Sequence, residues 1–100
     1  MTEKILILGA TGLLGEPVTR HLKEDGFDVR IMARDTAKAE RIFGEGYEIV
    51  KGDAECAADI AEAMEGCQAV HLSLSGEVEL AAVQQVAHLA REKGIGRISY

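Results

Sequence analysis

The stretch from Lys4 to Gly15, which reads KILILGATGLLG, decides the fold. Its first half is a continuous apolar run that stops at Gly9. Continuous rather than alternating hydrophobicity is typical of a strand covered on both faces, as in parallel sheets. Beyond that run, apolar residues recur at helical spacing as far as Gly26. The stretch therefore predicts a strand, a glycine turn and a helix whose inner face holds Leu14, Val18, His21 and Leu22.

The same alternation of strand and helix continues along the rest of the chain. Further strands are predicted at 29–32, 47–50, 68–72 and from 97, and further helices at 37–43, 57–65 and 77–93. Five strands alternating with four helices predict one α/β domain over residues 1–100, a doubly wound parallel sheet with right-handed crossovers that is truncated after its fifth strand. The inward residues are expected to be Ile60, Ala63 and Met64 in the third helix, and Leu80, Val83, Ala87 and Ala90 in the fourth.

Composition and charge exclude several classes of function. The 100 residues are 47% hydrophobic and carry a net charge of −6, so disorder is not expected, and neither is a basic surface for nucleic acid or anionic membranes. No apolar run approaches the roughly 18–20 residues of a transmembrane helix. The N-terminal residues lead directly into a strand rather than a secretory signal. We therefore expect a cytoplasmic protein with no nucleic-acid or membrane partner.

Cysteine and histidine give no support to a metal site. Cys56 and Cys67 are eleven positions apart, which matches neither a redox pair nor a zinc spacing, so we expect two reduced structural thiols. His21, His71 and His88 form no ligand pair in the sequence. We expect His71 to lie in the sheet and His88 to pack beside the apolar stripe of the fourth helix.

The glycines of the first turn each have a physical task in binding a dinucleotide. Gly9 allows a tight exit from the strand, Gly12 lets backbone approach a pyrophosphate, and Gly15 permits close contact between helix and strand. The N-terminus of the following helix offers unpaired N–H groups to phosphates. A merely flexible turn is the alternative, whereas a Walker-type loop is excluded because no Gly-Lys-Ser/Thr follows.

This turn, Gly-Ala-Thr-Gly-x-x-Gly, resembles the Rossmann-type extended and atypical short-chain dehydrogenases, especially the NmrA-like NAD(P)-binding group. Residues 32–35, 52–53 and 72–76, which follow the second, third and fourth strands, agree with that resemblance. It covers essentially all 100 residues, which correspond to the N-terminal half or less of such a protein. We therefore expect a fragment whose C-terminal substrate region is absent. Within the turn, the resemblance implies cofactor contacts from Gly9, Thr11, Gly12, Leu13, Leu14 and Gly15.

The end of the second strand indicates which dinucleotide is preferred. Sites for NAD usually place an acid there, but this chain has Ala33 followed by Arg34. A guanidinium matches a 2′-phosphate bidentately, so we predict NADP rather than NAD. The alternative is a surface arginine paired with Asp35 or Glu40. Asp35 itself would either restrain Arg34 or cap the next helix.

The resemblance also implies cofactor contacts after the third and fourth strands. Asp53 would accept a hydrogen bond from the adenine amino group, with Ala54 beside the ring; the alternative is that Asp53 caps the following helix. Ser73 and Ser75 would lie along the ribose and nicotinamide end. Their alternative role is ordinary turn formation.

No residue of this chain is predicted to be catalytic. The Tyr-x-x-x-Lys pair of active short-chain dehydrogenases is missing, and Tyr100 has no lysine four places on. The leading hypothesis is the cofactor-binding half of an NADP-dependent oxidoreductase with an unknown small-molecule substrate. The alternatives are a non-catalytic dinucleotide-sensing regulator and a sugar-nucleotide epimerase or dehydratase. An unfinished sheet would also favour self-association through its open edge.

Overall fold

Strands and helices alternate in the computed structural model, which describes residues 3–9, 15–44, 46–53, 56–72, 84, 86–89, 91–92, 95 and 97–99. The strands are β1 (Lys4–Leu8), β2 (Asp28–Ala33), β3 (Glu48–Lys51), β4 (Ala69–Leu72) and β5 (Arg97–Ser99). The helices between them are α1 (Gly15–Glu24), α2 (Thr36–Phe43) and α3 (Ala57–Met64). Residues 84, 86–89 and 91–92 are also helical and fall within the predicted fourth helix.

The five strands form a single parallel sheet in the order β3-β2-β1-β4-β5. In its register, Leu8 at the end of β1 lies beside Met32 of β2 and Leu72 of β4. This is the strand order of a doubly wound nucleotide-binding sheet, so the predicted fold class is confirmed. β3 and β5 are the edge strands, and self-association through β5 stays a prediction.

The apolar core lies on both faces of the sheet, and β1 is buried on each of them. Leu6 and Leu8 face a cluster that contains α3, whereas Ile5 and Ile7 face a cluster that contains α1 and α2. Burying a side chain of this size is worth about 1.5–3 kcal/mol. Burial on both faces explains the unbroken apolar run of β1. On α3, the three inward residues are those that the sequence predicts: Ile60, Ala63 and Met64.

α1 ends as its sequence predicts, at a glycine. The Phe27 N–H donates to the Leu22 carbonyl at 3.2 Å, and the Gly26 N–H donates to the Lys23 carbonyl at 3.1 Å. This pair of bonds is a Schellman motif, which satisfies carbonyls that the helix leaves unpaired. Leu22 and Phe27 pack together in the same cluster of the core.

The inner face of α1 differs from the predicted one. Its buried residues are Gly15 and Thr19, whereas the His21 side chain is 73% exposed and lies 3.4 Å from Asp25. The inner face of α1 thus includes Gly15 and Thr19 and excludes His21. Leu22, which the sequence did predict, packs against the core. Val18 and Leu22 are half-buried, and Leu14 lies outside the described residues.

Of the stripe predicted for the fourth helical segment, the structure describes Ala87. Val86 is fully buried and Ala87 half-buried. The His88 side chain is 71% exposed, with Nε2 3.2 Å from Glu92, so the prediction that it packs against the stripe is wrong. Val86 and Leu89, three residues apart, point to the core and turn His88 away. The other predicted stripe residues, Leu80, Val83 and Ala90, lie outside the described residues.

In the described part of the chain, none of the helices is long and apolar enough to cross a membrane.

Candidate functional site

The carboxyl ends of all five strands meet at one edge of the sheet, because every neighbouring pair is parallel. The chain moves outward from β1 to β2 and β3, and then returns to place β4 on the other side of β1. The direction of winding thus reverses between β1 and β4. In open α/β sheets, ligands bind in the crevice at such a reversal.

β1 ends at this reversal, and Gly9 follows its last residue. Gly9 has φ 86, in the left-handed region where a Cβ is unfavourable, so its predicted task as a tight strand exit is confirmed. Gly15, where α1 begins, is buried and accepts a 2.7 Å hydrogen bond from the Thr19 hydroxyl. Gly15 is thus buried, and the close contact with a strand expected there stays a prediction. The remaining predicted loop contacts, Thr11, Gly12, Leu13 and Leu14, lie outside the described residues.

Arg34 follows β2 at the same edge, and its side chain is exposed. The Asp35 carboxylate accepts a 3.0 Å hydrogen bond from the Lys38 N–H and caps α2, which is one of its two predicted roles. Within the described ranges, the ion pairs that arginine makes belong to Arg20 and Arg30. The alternative pairing of Arg34 with Asp35 or Glu40 is not found.

Asp53 is half-buried two residues after β3, so its position brings it to the same edge as Arg34. The alternative that it caps α3 is wrong. The cap position belongs to Cys56, which makes no side-chain cap hydrogen bond. Asp53 instead lies one turn earlier, where its carbonyl accepts from the Cys56 N–H at 2.9 Å. Ala54, Ser73 and Ser75 lie outside the described residues.

A contact that the sequence analysis missed joins Asp53 to α3. The Asp53 N–H donates to Oδ2 of Asp59 at 2.9 Å in a partly buried setting. Asp59 is the third residue of α3, a position from which an acidic side chain can reach back to backbone N–H groups before the helix. One feature of the sequence could have indicated this contact: Asp59 stands three positions after Cys56, a residue that is a weak helix cap.

Away from this edge, Lys4 and Arg30 share one acidic partner, Glu48. A hydrogen bond from Lys4 to Glu48, 3.0 Å long, lowers the pKa of that carboxyl below its usual value, and Arg30 Nε lies 3.1 Å from the same oxygen. Burial lowers the pKa of His71 and raises that of the Cys67 thiol. His71 lies in β4, as predicted, and both cysteines are free.

A groove of about 300 Å³ runs between β3 and α3, away from the reversal between β1 and β4. Arg30 and Glu48 on its wall neutralise each other. We assign it no ligand. Its lining is Arg30, Glu48, Val50, Lys51, Asp59, Glu62, Ala63 and Glu65.

Comparisons with known proteins agree with this geometry. A family model described as NAD(P)H-binding matches residues 9–100. An NmrA-like family domain-containing protein of Dictyostelium discoideum is 30% identical over 103 residues, which are 95% of this chain and 34% of that protein. The chain spans 23–34% of the length of the curated relatives it matches.

Two solved structures share the fold over nearly the whole chain. A Rossmann-fold NAD(P)-binding family protein from Shigella flexneri superposes with a TM-score of 0.84 at 25% identity, covering 98% of this chain and 50% of that one. An NADPH-dependent quinone oxidoreductase of Escherichia coli, in complex with NADPH, superposes with a TM-score of 0.81 at 28% identity. The match covers 96% of this chain and 35% of that one.

Proposed function

The chain belongs to the NAD(P)H-binding family, and we propose that it holds NADP(H) at the carboxyl edge of its sheet as the cofactor portion of an oxidoreductase. The observation that carries the proposal is the turn at Gly9, with φ 86, which leaves β1 next to the reversal between β1 and β4. The positive φ of Gly9 lets the chain turn sharply out of β1, which is the task of the first glycine in a dinucleotide-binding turn.

The pyrophosphate would lie against the turn between Gly9 and Gly15. α1 begins at Gly15, and the first N–H groups of a helix have no partner within the helix. Those groups, with the positive end of the helix dipole, attract phosphate oxygens. Thr11, Gly12, Leu13 and Leu14 would supply further backbone contacts in the same turn.

The adenosine half would lie over β2 and β3. Arg34 would bind a 2′-phosphate, because Ala33 before it has no group to accept a bond from a ribose hydroxyl. Asp53 would accept from the adenine amino group, with Ala54 beside the ring. The register supports this arrangement, since Ala33 at the end of β2 lies beside Lys51 at the end of β3. The Escherichia coli neighbour holds NADPH in the same fold.

The nicotinamide half would extend over β4, past Ser73 and Ser75. Hydride transfer to a small-molecule substrate would be completed by a longer protein, since the curated relatives are about three to four times longer than the matched segment. The proposed location is the cytoplasm, which is consistent with binding of a reducing dinucleotide.

A non-catalytic sensor of dinucleotide occupancy is the second candidate, favoured by the NmrA-like relative. A sugar-nucleotide epimerase or dehydratase is less favoured, because such enzymes normally use NAD and an acid after β2, where this chain has Ala33 and Arg34. Assaying the longer protein for oxidation of NADPH by carbonyl or enone compounds separates the oxidoreductase from the sensor. Turnover supports the oxidoreductase, and stoichiometric binding without turnover supports the sensor.

Titration of the full chain with NADPH, with the heat of binding measured by calorimetry, tests the binding proposal. Gly12→Val should weaken binding at least tenfold while far-UV circular dichroism stays unchanged, because the branched side chain occupies the space that the pyrophosphate needs. Ala37→Val, an exposed change of the same kind in α2, is the control and should bind like the parent. A parent chain that does not bind, or equal affinity in both variants, would overturn the proposal.

A further inference from the structure

The hydrogen bond from the Asp53 N–H to Asp59 Oδ2, 2.9 Å long, ties the residue after β3 to the first turn of α3. Cys56 occupies the cap position of that helix without a side-chain hydrogen bond. The carboxylate of Asp59, inside the helix, thus acts on the segment that precedes it. A negative charge is also favourable in the first turn of a helix.

The residue before Asp53 is held equally closely. The Gly52 N–H donates to the Ala33 carbonyl at 3.1 Å, which connects this segment to the residue immediately before Arg34. A Cβ on Gly52 would lie 2.6 Å from Met32 Sδ and 3.3 Å from Asp59 Cβ. Gly52 lies between Met32 of β2 and Asp59, and any larger residue at this position would have to displace the Met32 side chain.

These contacts fix the backbone of Asp53 at both ends. Gly52 precedes it and is bonded to β2, while the Asp53 carbonyl accepts from the Cys56 N–H at 2.9 Å. The peptide N–H of Asp53 itself is oriented by Asp59. Because the backbone sets the direction of the Cα–Cβ bond, the point from which the Asp53 carboxylate extends depends on this bond.

We propose that Asp59 is a positioning residue for recognition of the adenosine half of the dinucleotide. Its carboxylate holds Asp53, which in turn contacts adenine, and Asp59 itself touches no ligand. The inference rests on the proposed function, because it takes Asp53 as an adenine contact. A bond to an ionised acceptor is stronger than one between neutral groups, which suits a carboxylate for this task.

The test is a double-mutant cycle in the full chain, with adenosine 2′,5′-bisphosphate as the probe. Asp59→Ala should weaken binding about 3- to 10-fold, the loss of one ordinary hydrogen bond. Asp53→Ala should weaken binding by at least as much, and the double variant should bind within about twofold of Asp53→Ala. Additive losses would overturn the proposal, because they would mean that Asp59 acts independently of Asp53.

Two further variants separate positioning from general support of the helix. Asp59→Asn keeps an acceptor oxygen at the same place and should bind within about twofold of the parent; an Asn variant as weak as the Ala variant contradicts the proposal. Glu62→Ala, an exposed acid on the same helix, is the control and should leave affinity unchanged. If Asp59→Ala does not fold, Asp59→Leu takes its place, since the leucine side chain has the same branching at Cγ and no acceptor.

Failure of the positioning role of Asp59 can be distinguished from failure of the proposed function. A parent chain that does not bind the bisphosphate would overturn the adenosine site itself. A parent that binds, with Asp59→Ala equal to it, would overturn only the positioning role of Asp59.

Discussion

The guanidinium of Arg30 in β2 donates a 2.7 Å hydrogen bond to the carbonyl oxygen of Ala63 in α3. The same nitrogen also donates to the carbonyl of Glu65, immediately after the helix. These are carbonyls that the end of a helix leaves without an internal partner. Because the Arg30 side chain is only 13% exposed, it fastens the end of α3 to the sheet from within the structure.

Replacing Arg30 with methionine is therefore expected to destabilise the fold. Arg30→Met keeps much of the side-chain volume but leaves two carbonyls without their donor, which should lower the free energy of unfolding by about 2–3 kcal/mol. Urea denaturation followed by circular dichroism measures it. Arg41→Met, at an exposed position of α2, is the control and should change the value by less than about 0.5 kcal/mol. Equal midpoints for the two variants would contradict the role of Arg30.

The fold was predictable because its signals are local. The unbroken apolar run of β1 indicates burial on both faces, and the core is found on both. Gly26, Gly44 and Gly66 follow three of the predicted helices in the sequence, and all have positive φ in the structure. The order of the strands, in contrast, depends on contacts between distant segments. The sequence analysis predicted a parallel sheet from the alternation of strands and helices but did not specify this order.

The site was predictable only in part, because several of its features depend on packing. The sequence places Gly9, Arg34 and Asp53 after three strands, and the sheet brings those strand ends to one edge. It could not show that the Asp53 N–H bonds to Asp59, since the path of the chain before α3 decides that contact. The inner face of α1 was misjudged in part: His21 is exposed, whereas the polar Thr19 is buried with its hydroxyl bonded to the Gly15 carbonyl.

Gly52 should be coupled to Met32. Gly52→Ala places a methyl 2.6 Å from Met32 Sδ and should cost about 1–3 kcal/mol. Met32→Ala removes the clashing atoms, so the double variant should be more stable than the sum of the single effects by at least about 1 kcal/mol. Denaturant midpoints of the four proteins give this coupling. Val29→Ala, buried on the opposite face, should combine with Gly52→Ala additively; coupling of the same size there would indicate a general effect of destabilisation.

Mild acid should destabilise the chain through His71. Burial lowers the pKa of this imidazole in the folded state, so the unfolded chain takes up its proton at a higher pH than the folded chain does. The free energy of unfolding should thus fall as the pH drops below about 6.5, and should be unaffected by this group well above it. Denaturant unfolding at pH 7.5, 6.5 and 5.5 measures the slope.

His71→Gln supplies the comparison and should flatten that slope. Glu48 does not interfere in this range. Its pKa is lowered by Lys4, so the stability it adds is complete above the ordinary carboxyl pKa of about 4.3 and is lost only in stronger acid. A slope that is the same in parent and variant would show that His71 titrates alike in folded and unfolded chains.

Arg34 should carry most of a preference for NADPH over NADH. Its side chain is exposed at the carboxyl edge, and Asp35 beside it is occupied in capping α2 through the Lys38 N–H. The guanidinium is thus available for a 2′-phosphate, and hydrogen bonds to charged groups are worth about 1.5–3 kcal/mol, or roughly 10- to 150-fold. The net charge of −6 opposes a dianionic phosphate, so we expect the lower end.

Titrating both dinucleotides against parent and Arg34→Ala measures this preference. The ratio of NADH to NADPH dissociation constants should fall about tenfold in the variant, through weaker NADPH binding with NADH little changed. Arg41→Ala, which removes an exposed arginine from α2, controls for net charge and should keep the parental ratio. Raising the salt concentration should reduce the parental ratio toward that of Arg34→Ala, because an open ion pair is screened. A ratio that Arg34→Ala leaves unchanged would make Arg34 an ordinary surface residue.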